Sequence, residues 1–138
     1  LNALQLTSLP ENFRQDPRGW SFSPFRETPW KNGLEIDWAS FHLVSLEPGS
    51  IRGNHVHPRV TEWLLFLGAP VLLVWQDEGS DLVQQRRIDD HHTLAVIPPR
   101  VKHAVQNLST GTIYLTAFRS RNKGSAEAET MATPLIKN

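Results

Sequence analysis

The sequence predicts an all-β domain, closed or nearly closed into a barrel. Three observations carry that expectation. No stretch sustains the 3.6-residue apolar period of a helix. Ten prolines and eight glycines cut the 138 residues into short segments. Between the cuts lie runs rich in branched and aromatic residues, which pack well on a pleated surface.

Over residues 1–33, Pro10, Pro17, Pro24 and Pro29 forbid a long regular element. Leu4, Leu6 and Leu9 fit either an early strand or an arm packed on the body. Gly33 precedes a strand over 34–46. Strict alternation puts Leu34, Ile36, Trp38, Ser40, His42, Val44 and Leu46 on one of its faces. Glu47-Pro48-Gly49-Ser50 reads as a turn. Further strands are expected over 51–57, 61–67, 71–76, 82–88, 93–97, 103–108 and 112–119. Turns fall at Pro58-Arg59, Gly68-Ala69-Pro70, 77–81 and Asp89-Asp90-His91-His92, where the two histidines read as solvated. Residues 120–130 become polar and suit a loop or a short helix. The organisation expected is an N-terminal arm over 1–33, a barrel over 34–119 and a C-terminal tail over 120–138.

Fourteen basic residues balance fourteen acidic ones, so no global field draws the chain to nucleic acid or an anionic membrane. The absence of cysteine rules out disulfides and thiolate metal sites. No apolar run approaches the ~20 residues of a membrane-spanning helix. With no basic segment leading an apolar core at Leu1-Asn2-Ala3-Leu4, no signal peptide is visible and a cytoplasmic location is the default expectation.

The chemistry concentrates in two places. In Gly49-Ser50-Ile51-Arg52-Gly53-Asn54-His55-Val56-His57, followed by Glu62, two histidines alternate on an extended segment. They therefore share a face, and Glu62 can return on the next strand. His103 lies in Ile97-Pro98-Pro99-Arg100-Val101-Lys102-His103. Three imidazoles and a carboxylate suit one divalent transition metal ion, whether Zn, Fe, Mn, Ni, Co or Cu. The readings are a metal site at His55, His57, Glu62 and His103, or the same residues hydrogen-bonding each other.

Gly49, His55, His57 and Glu62 sit in register with the first motif of the cupins, and Gly68 comes one residue early. Pro98, His103 and Asn107 match the second motif, with Arg100 at its glycine position and His92 where an earlier glycine is usual. The chain thus resembles the cupin superfamily, which implies a double-stranded β-helix, or jelly-roll barrel. Arg52-Gly53-Asn54-His55-x-His57 is also similar to a signature of cupin domains in nucleotide-sugar and capsule-synthesis enzymes. The Arg-Gly-x-His part is similar to deoxysugar 3,5-epimerases, which generally lack the second histidine.

The first expectation for function is a metal-dependent isomerase or epimerase acting on a small polar organic ligand, such as a carbohydrate or nucleotide-sugar. The ion would polarise a carbonyl and a side chain or water would move the proton. The alternatives are an iron-dependent dioxygenase and a non-catalytic ligand-binding or sensor barrel. His42 is the candidate proton carrier, against a half-buried histidine bonded to a backbone carbonyl. Phe66 and Val105 are the candidate pocket walls, from alternation beside Glu62 and His103. Trp63 should point away from the ion, into packing or a subunit contact. Arg52 and Arg119 have the fork for a carboxylate or phosphate, but regular alternation turns Arg52 from the ligand face. Lys102 should also point away, and Asn107 suits a structural hydrogen bond. Exposed strand edges make a homodimer the expected assembly.

Overall fold

A computed structural model of the chain describes residues 3–122 and 130–137. The prolines and glycines break it where expected. In chain order the strands are β1 (Gln5–Ser8), β2 (Phe13–Asp16), β3 (Gly19–Phe22), β4 (Ile36–Leu46), β5 (Ile51–Val56) and β6 (Glu62–Leu67). β7 (Val71–Gln76), β8 (Gln84–Ile88), β9 (Thr93–Ile97), β10 (Lys102–Asn107), β11 (Ile113–Ser120) and β12 (Met131–Ala132) complete the set. No helix among the described residues is long and apolar enough to cross a membrane.

Two five-stranded antiparallel sheets form the barrel, in the orders β1-β9-β6-β11-β4 and β12-β5-β10-β7-β8. β2 and β3 pair only with each other. The barrel sheets thus draw one strand from each segment flanking residues 34–119. β1 lies against β9, with Gln5 opposite Val96, and β12 lies against β5, with Ala132 opposite His55. The early-strand reading of Leu4 to Leu9 therefore describes Gln5–Ser8, and residues 130–137 of the tail hold the two-residue strand β12 followed by a bend at Leu135 and Ile136.

Two apolar layers flank the first sheet. Inside the barrel, Leu64, Phe66, Leu73, Trp75, Ile97 and Leu115 form one core with their neighbours. Outside it, Trp63, Leu65, Leu94, Val96 and Phe118 pack under Leu9 and Trp30. β6 is therefore buried on both faces, its even-numbered residues inward and Trp63 outward beneath the N-terminal segment. Trp63 is fully buried in that layer, which excludes a direct subunit contact for it.

Strict alternation fails at two places, and each failure has a local cause. Pairing of β4 with β11 runs Ala117 opposite His42 but Arg119 opposite Asp37, so β4 carries extra residues between. Ser40 Oγ holds this irregularity, donating to the Asp37 carbonyl at 2.6 Å and accepting the Arg119 amide at 2.7 Å. The face shared on paper by Leu34 to Leu46 is split as a result. Ile36 belongs to the outer layer and Leu46 to the inner core, with Val44 packed against the latter. The second failure is in β5, whose pairing with β10 shifts between His103 opposite His55 and Ala104 opposite Gly53. Gly53 and Asn54 adopt φ of 85° and 54° there. A β-bulge of this kind adds one residue and reverses the parity of side chains across it.

The motif departure at Arg100 is absorbed by backbone. Arg100 takes the left-handed conformation that a glycine would, with φ 67°. Its amide donates to the His57 carbonyl at 2.8 Å and its Nε to Glu78 at 2.6 Å. Asn107 is buried and fully engaged, donating to the Leu46 and Gly111 carbonyls and accepting the Ser109 amide.

A methyl group added at the bulge should cost more than one added at the hairpin turn around Gly79. A Cβ on Gly53 would lie 3.0 Å from the His103 carbonyl oxygen, whereas one on Gly79, at φ 75°, meets nothing within 4 Å. Gly79→Ala should lose only the left-handed strain of about 1–2 kcal/mol. Gly53→Ala should lose clearly more, because β10 must also move. Denaturant unfolding of the two variants checks this, and equal losses would contradict it.

Candidate functional site

β5 ends at Val56, so His55 is the last inward residue of the bulged strand and His57 lies just beyond it. His103 stands directly opposite His55 on β10. Glu62 opens β6 and crosses the barrel interior from the facing sheet. The four residues predicted as metal ligands therefore converge: their ligand atoms all lie within 4.8 Å of one another. His55 Nε2 is 3.0 Å from His103 Nε2, and His103 Nε2 is 2.9 Å from Glu62 Oε1. His57 Nε2 is 3.2 Å from Glu62 Oε2. Three of the four are buried, and His55 is partly open to solvent.

The donor set fits a divalent transition ion. The Val101 carbonyl can only accept, so the 3.1 Å contact to His103 Nδ1 places a proton on that nitrogen and leaves Nε2 to face the cluster. In the metal-free cluster, protons must lie between these close nitrogen and oxygen atoms; a bound cation takes their place. An ion bonded at about 2.0–2.2 Å keeps neighbouring donors roughly 3–4 Å apart, and the His55–His103, His103–Glu62 and His57–Glu62 separations of 3.0, 2.9 and 3.2 Å are of that order. A buried group of three histidines and one glutamate that could hold a metal is thus present.

Glu62 shows how strongly the cluster favours negative charge. Burial alone would raise its carboxyl. Hydrogen bonds from His103, His55 and His57, with the charge of His103, outweigh burial and hold it well below the ordinary carboxylate range.

Three of the four donors, His55, Glu62 and His103, line a cavity of ≈310 Å³ together with His42, Arg52, Leu64 and Val105, and buried His57 lies off its wall. Val105 is on the wall, as alternation placed it. Phe66 points inward too but is buried in the barrel core and does not reach the cavity; Leu64, two residues nearer Glu62, holds that wall. His42 reaches the cavity from the exposed strand β4. Its Nδ1 donates to the Ser40 carbonyl at 2.8 Å, leaving Nε2 with a lone pair. Arg52 was expected to face away. The bulge at Gly53–Asn54 returns it to the ligand face, and its Nε donates to the Ser45 carbonyl at 3.1 Å. The consecutive glycine and asparagine, both tolerant of positive φ, were the signal that could have found it. Arg119 and Lys102 stay off the cavity wall. His91 and His92 lie in a bend, His91 stacked on Trp20 at 4.8 Å and His92 against Phe13.

The lowered carboxyl of Glu62 gives a pH signature in metal-free protein. Its stabilising contribution is complete above the unfolded value of 4.5 and disappears as pH falls through the depressed folded value. Below about pH 4.5, wild-type stability should therefore fall more steeply with acid than that of Glu62→Gln. Parallel acid-unfolding profiles would contradict this linkage.

No protein-family model matches the sequence, and no curated protein matches it. Solved structures do. QdtA, a sugar 3,4-ketoisomerase from Thermoanaerobacterium thermosaccharolyticum in complex with TDP, is similar at 17% identity and a TM-score of 0.65, over 86% of this chain and 80% of that one. A 3,4-ketoisomerase from Helicobacter canadensis is similar at 17% identity and 0.67, over 91% and 89%. RmlC from Streptococcus suis, in complex with dTDP-D-xylose, is similar at 19% identity and 0.66, over 86% and 64%. The likeness in shape to these proteins and the sheet order show a barrel of the cupin fold.

Proposed function

We propose that this chain is a metal-assisted isomerase or epimerase of a small polar carbonyl compound, of the carbohydrate or nucleotide-sugar kind. The observation that carries the reading is one cavity lined by His55, Glu62 and His103 of the donor cluster together with His42 and Arg52. The similarity in shape to sugar 3,4-ketoisomerases supports the substrate class. His55, His57, Glu62 and His103 would hold the ion, which when bound supplies a Lewis acid for a carbonyl oxygen.

The chain's own groups account for the rest. In the isomerase case His42 Nε2 takes the proton from the hydroxyl-bearing carbon beside the carbonyl and returns it to the former carbonyl carbon, while the hydroxyl proton passes to the former carbonyl oxygen, so ketone and alcohol exchange places with no oxidant or reductant. Ser40 fixes the His42 tautomer from behind. The Ser45 carbonyl steadies Arg52, whose terminal NH groups are placed to grip an anionic or hydroxyl-bearing part of the ligand. Leu64, Val105 and Leu115 line the apolar wall. At ≈310 Å³ the cavity lies at the lower end of the usual range of about 300–1,000 Å³, which suits a sugar ring with any nucleotide lying outside.

The test is turnover of a panel of keto-sugars and their TDP conjugates in D₂O, followed by NMR for deuterium entering carbon next to the carbonyl. Exchange that requires a divalent ion, and falls about 100-fold or more in His42→Ala with the ion retained, is expected. Arg52→Ala should act mainly on KM. Oxygen consumption with no exchange would replace this reading with a dioxygenase, and ligand binding with neither would leave a binding barrel.

Metal retention gives a separate check. His57→Ala and His103→Ala should lose most of the ion while staying folded, since the barrel core is untouched. Affinity should also fall between pH 8 and pH 5, because protons compete for imidazoles whose free pKa is about 6.5. Wild-type protein that takes up no stoichiometric ion after reconstitution would sink the metal assignment.

A further inference from the structure

β5 is built between two neighbours very different in origin. One is β10, which brings His103. The other is β12, a two-residue strand that lays Met131 against Val56 and Ala132 against His55. Asn54 fastens this outer strap. Its carbonyl accepts the Thr133 amide at 2.7 Å, and its Oδ1 accepts the amides of Leu135 and Ile136 at 2.8 and 3.0 Å. Its Nδ2 donates to the Ile136 carbonyl at 3.0 Å. Only a residue turned out of the strand can make this set, and φ 54° provides the turn. Just before β12, Thr130 Oγ1 stands 3.1 Å from His57 Nδ1, on the side of the ring away from Glu62.

We propose that Thr130 is a positioning residue: its hydroxyl holds the His57 ring from behind so that Nε2 faces the cluster, and the strap clamped by Asn54 delivers it there. The Val101 carbonyl does the corresponding job for His103. The difference in chemistry is useful. A carbonyl serves only a protonated Nδ1. A hydroxyl can donate or accept, so it keeps its bond to His57 whether the ring's proton is on Nε2, as in a cluster bonded to Glu62, or on Nδ1, as when Nε2 binds an ion. The ring can therefore change tautomer without changing direction. The metal part of this inference rests on the reading given above; the contact to the ring does not.

The experiment compares Thr130→Val, which keeps shape and removes the hydroxyl, with Thr130→Ser, which keeps the hydroxyl. Two readouts are taken on the full chain. The first is the Nδ1 chemical shift of His57 in metal-free protein, from two-bond proton–nitrogen correlation spectra. It should move in Thr130→Val and stay near wild type in Thr130→Ser. The second is zinc affinity by chelator competition, which should fall about tenfold or more in Thr130→Val and recover to within about threefold in Thr130→Ser, the range seen for partners behind metal-bound histidines. An Nδ1 shift unchanged in Thr130→Val would overturn the proposal, and so would unchanged zinc affinity in a wild type that binds zinc. A wild type that binds no zinc but whose Nδ1 shift depends on Thr130 would end the metal reading and uphold the positioning of His57.

Discussion

Two consecutive residues with positive φ, Gly53 and Asn54, constrain everything at the open end of this barrel. Without the extra residue they insert, Arg52 and His55 would fall on opposite faces of β5. With it, a cation and an imidazole look into the same cavity. The backbone of β5 also closes on β10 so tightly that a Cβ at Gly53 would lie 3.0 Å from the His103 carbonyl oxygen. The same turn sends Asn54 outward, where it gathers the residues of the tail. One local departure from pleated geometry thus serves the wall and the outer edge of the site together.

A buried carboxylate facing three rings is tolerated here because the barrel supplies partners rather than solvent. Glu62 is nearly as inaccessible as the leucines beside it. An unpaired charge at such a depth would be strongly destabilising. Its strand has apolar layers on both faces, so it cannot easily swing out to water. The cluster therefore has two ways to settle, shared protons or a shared cation, and the rigidity of β6 keeps the geometry suited to both.

The parts of this arrangement that sequence could disclose are those governed by neighbours in the chain. The strand breaks follow local proline and glycine chemistry, and observed strands such as Val71–Gln76 and Thr93–Ile97 match the expected ones. His55, His57 and Glu62 were visible because alternation and one hairpin fix their spacing, whereas His103, 41 residues beyond Glu62, was visible through the match of Pro98, His103 and Asn107 to the second motif. Strict alternation misled where a bulge intervened: it hid Arg52 and misassigned the shared face around Trp38 to Phe41. It set the direction of Phe66 correctly but said nothing of depth, which depends on what the opposite sheet contributes. Thr130 and Asn54 were invisible for another reason. Their partners lie more than seventy residues away, and no local pattern announces such a pairing.

That separation has a consequence for how the molecule comes into being. β5 emerges early in synthesis, carrying His55, yet one of its two flanking strands is translated only after the rest of the barrel. Until then it is an open edge beside a forming metal-type cluster, a state that invites wrong partners. Long-range closure of this sort is slow relative to hairpin formation. Synthesis of residues 130–137 then also completes the edge beside His55, and a chain halted short of residue 130 would be a barrel in outline with an unfinished seam along its histidines.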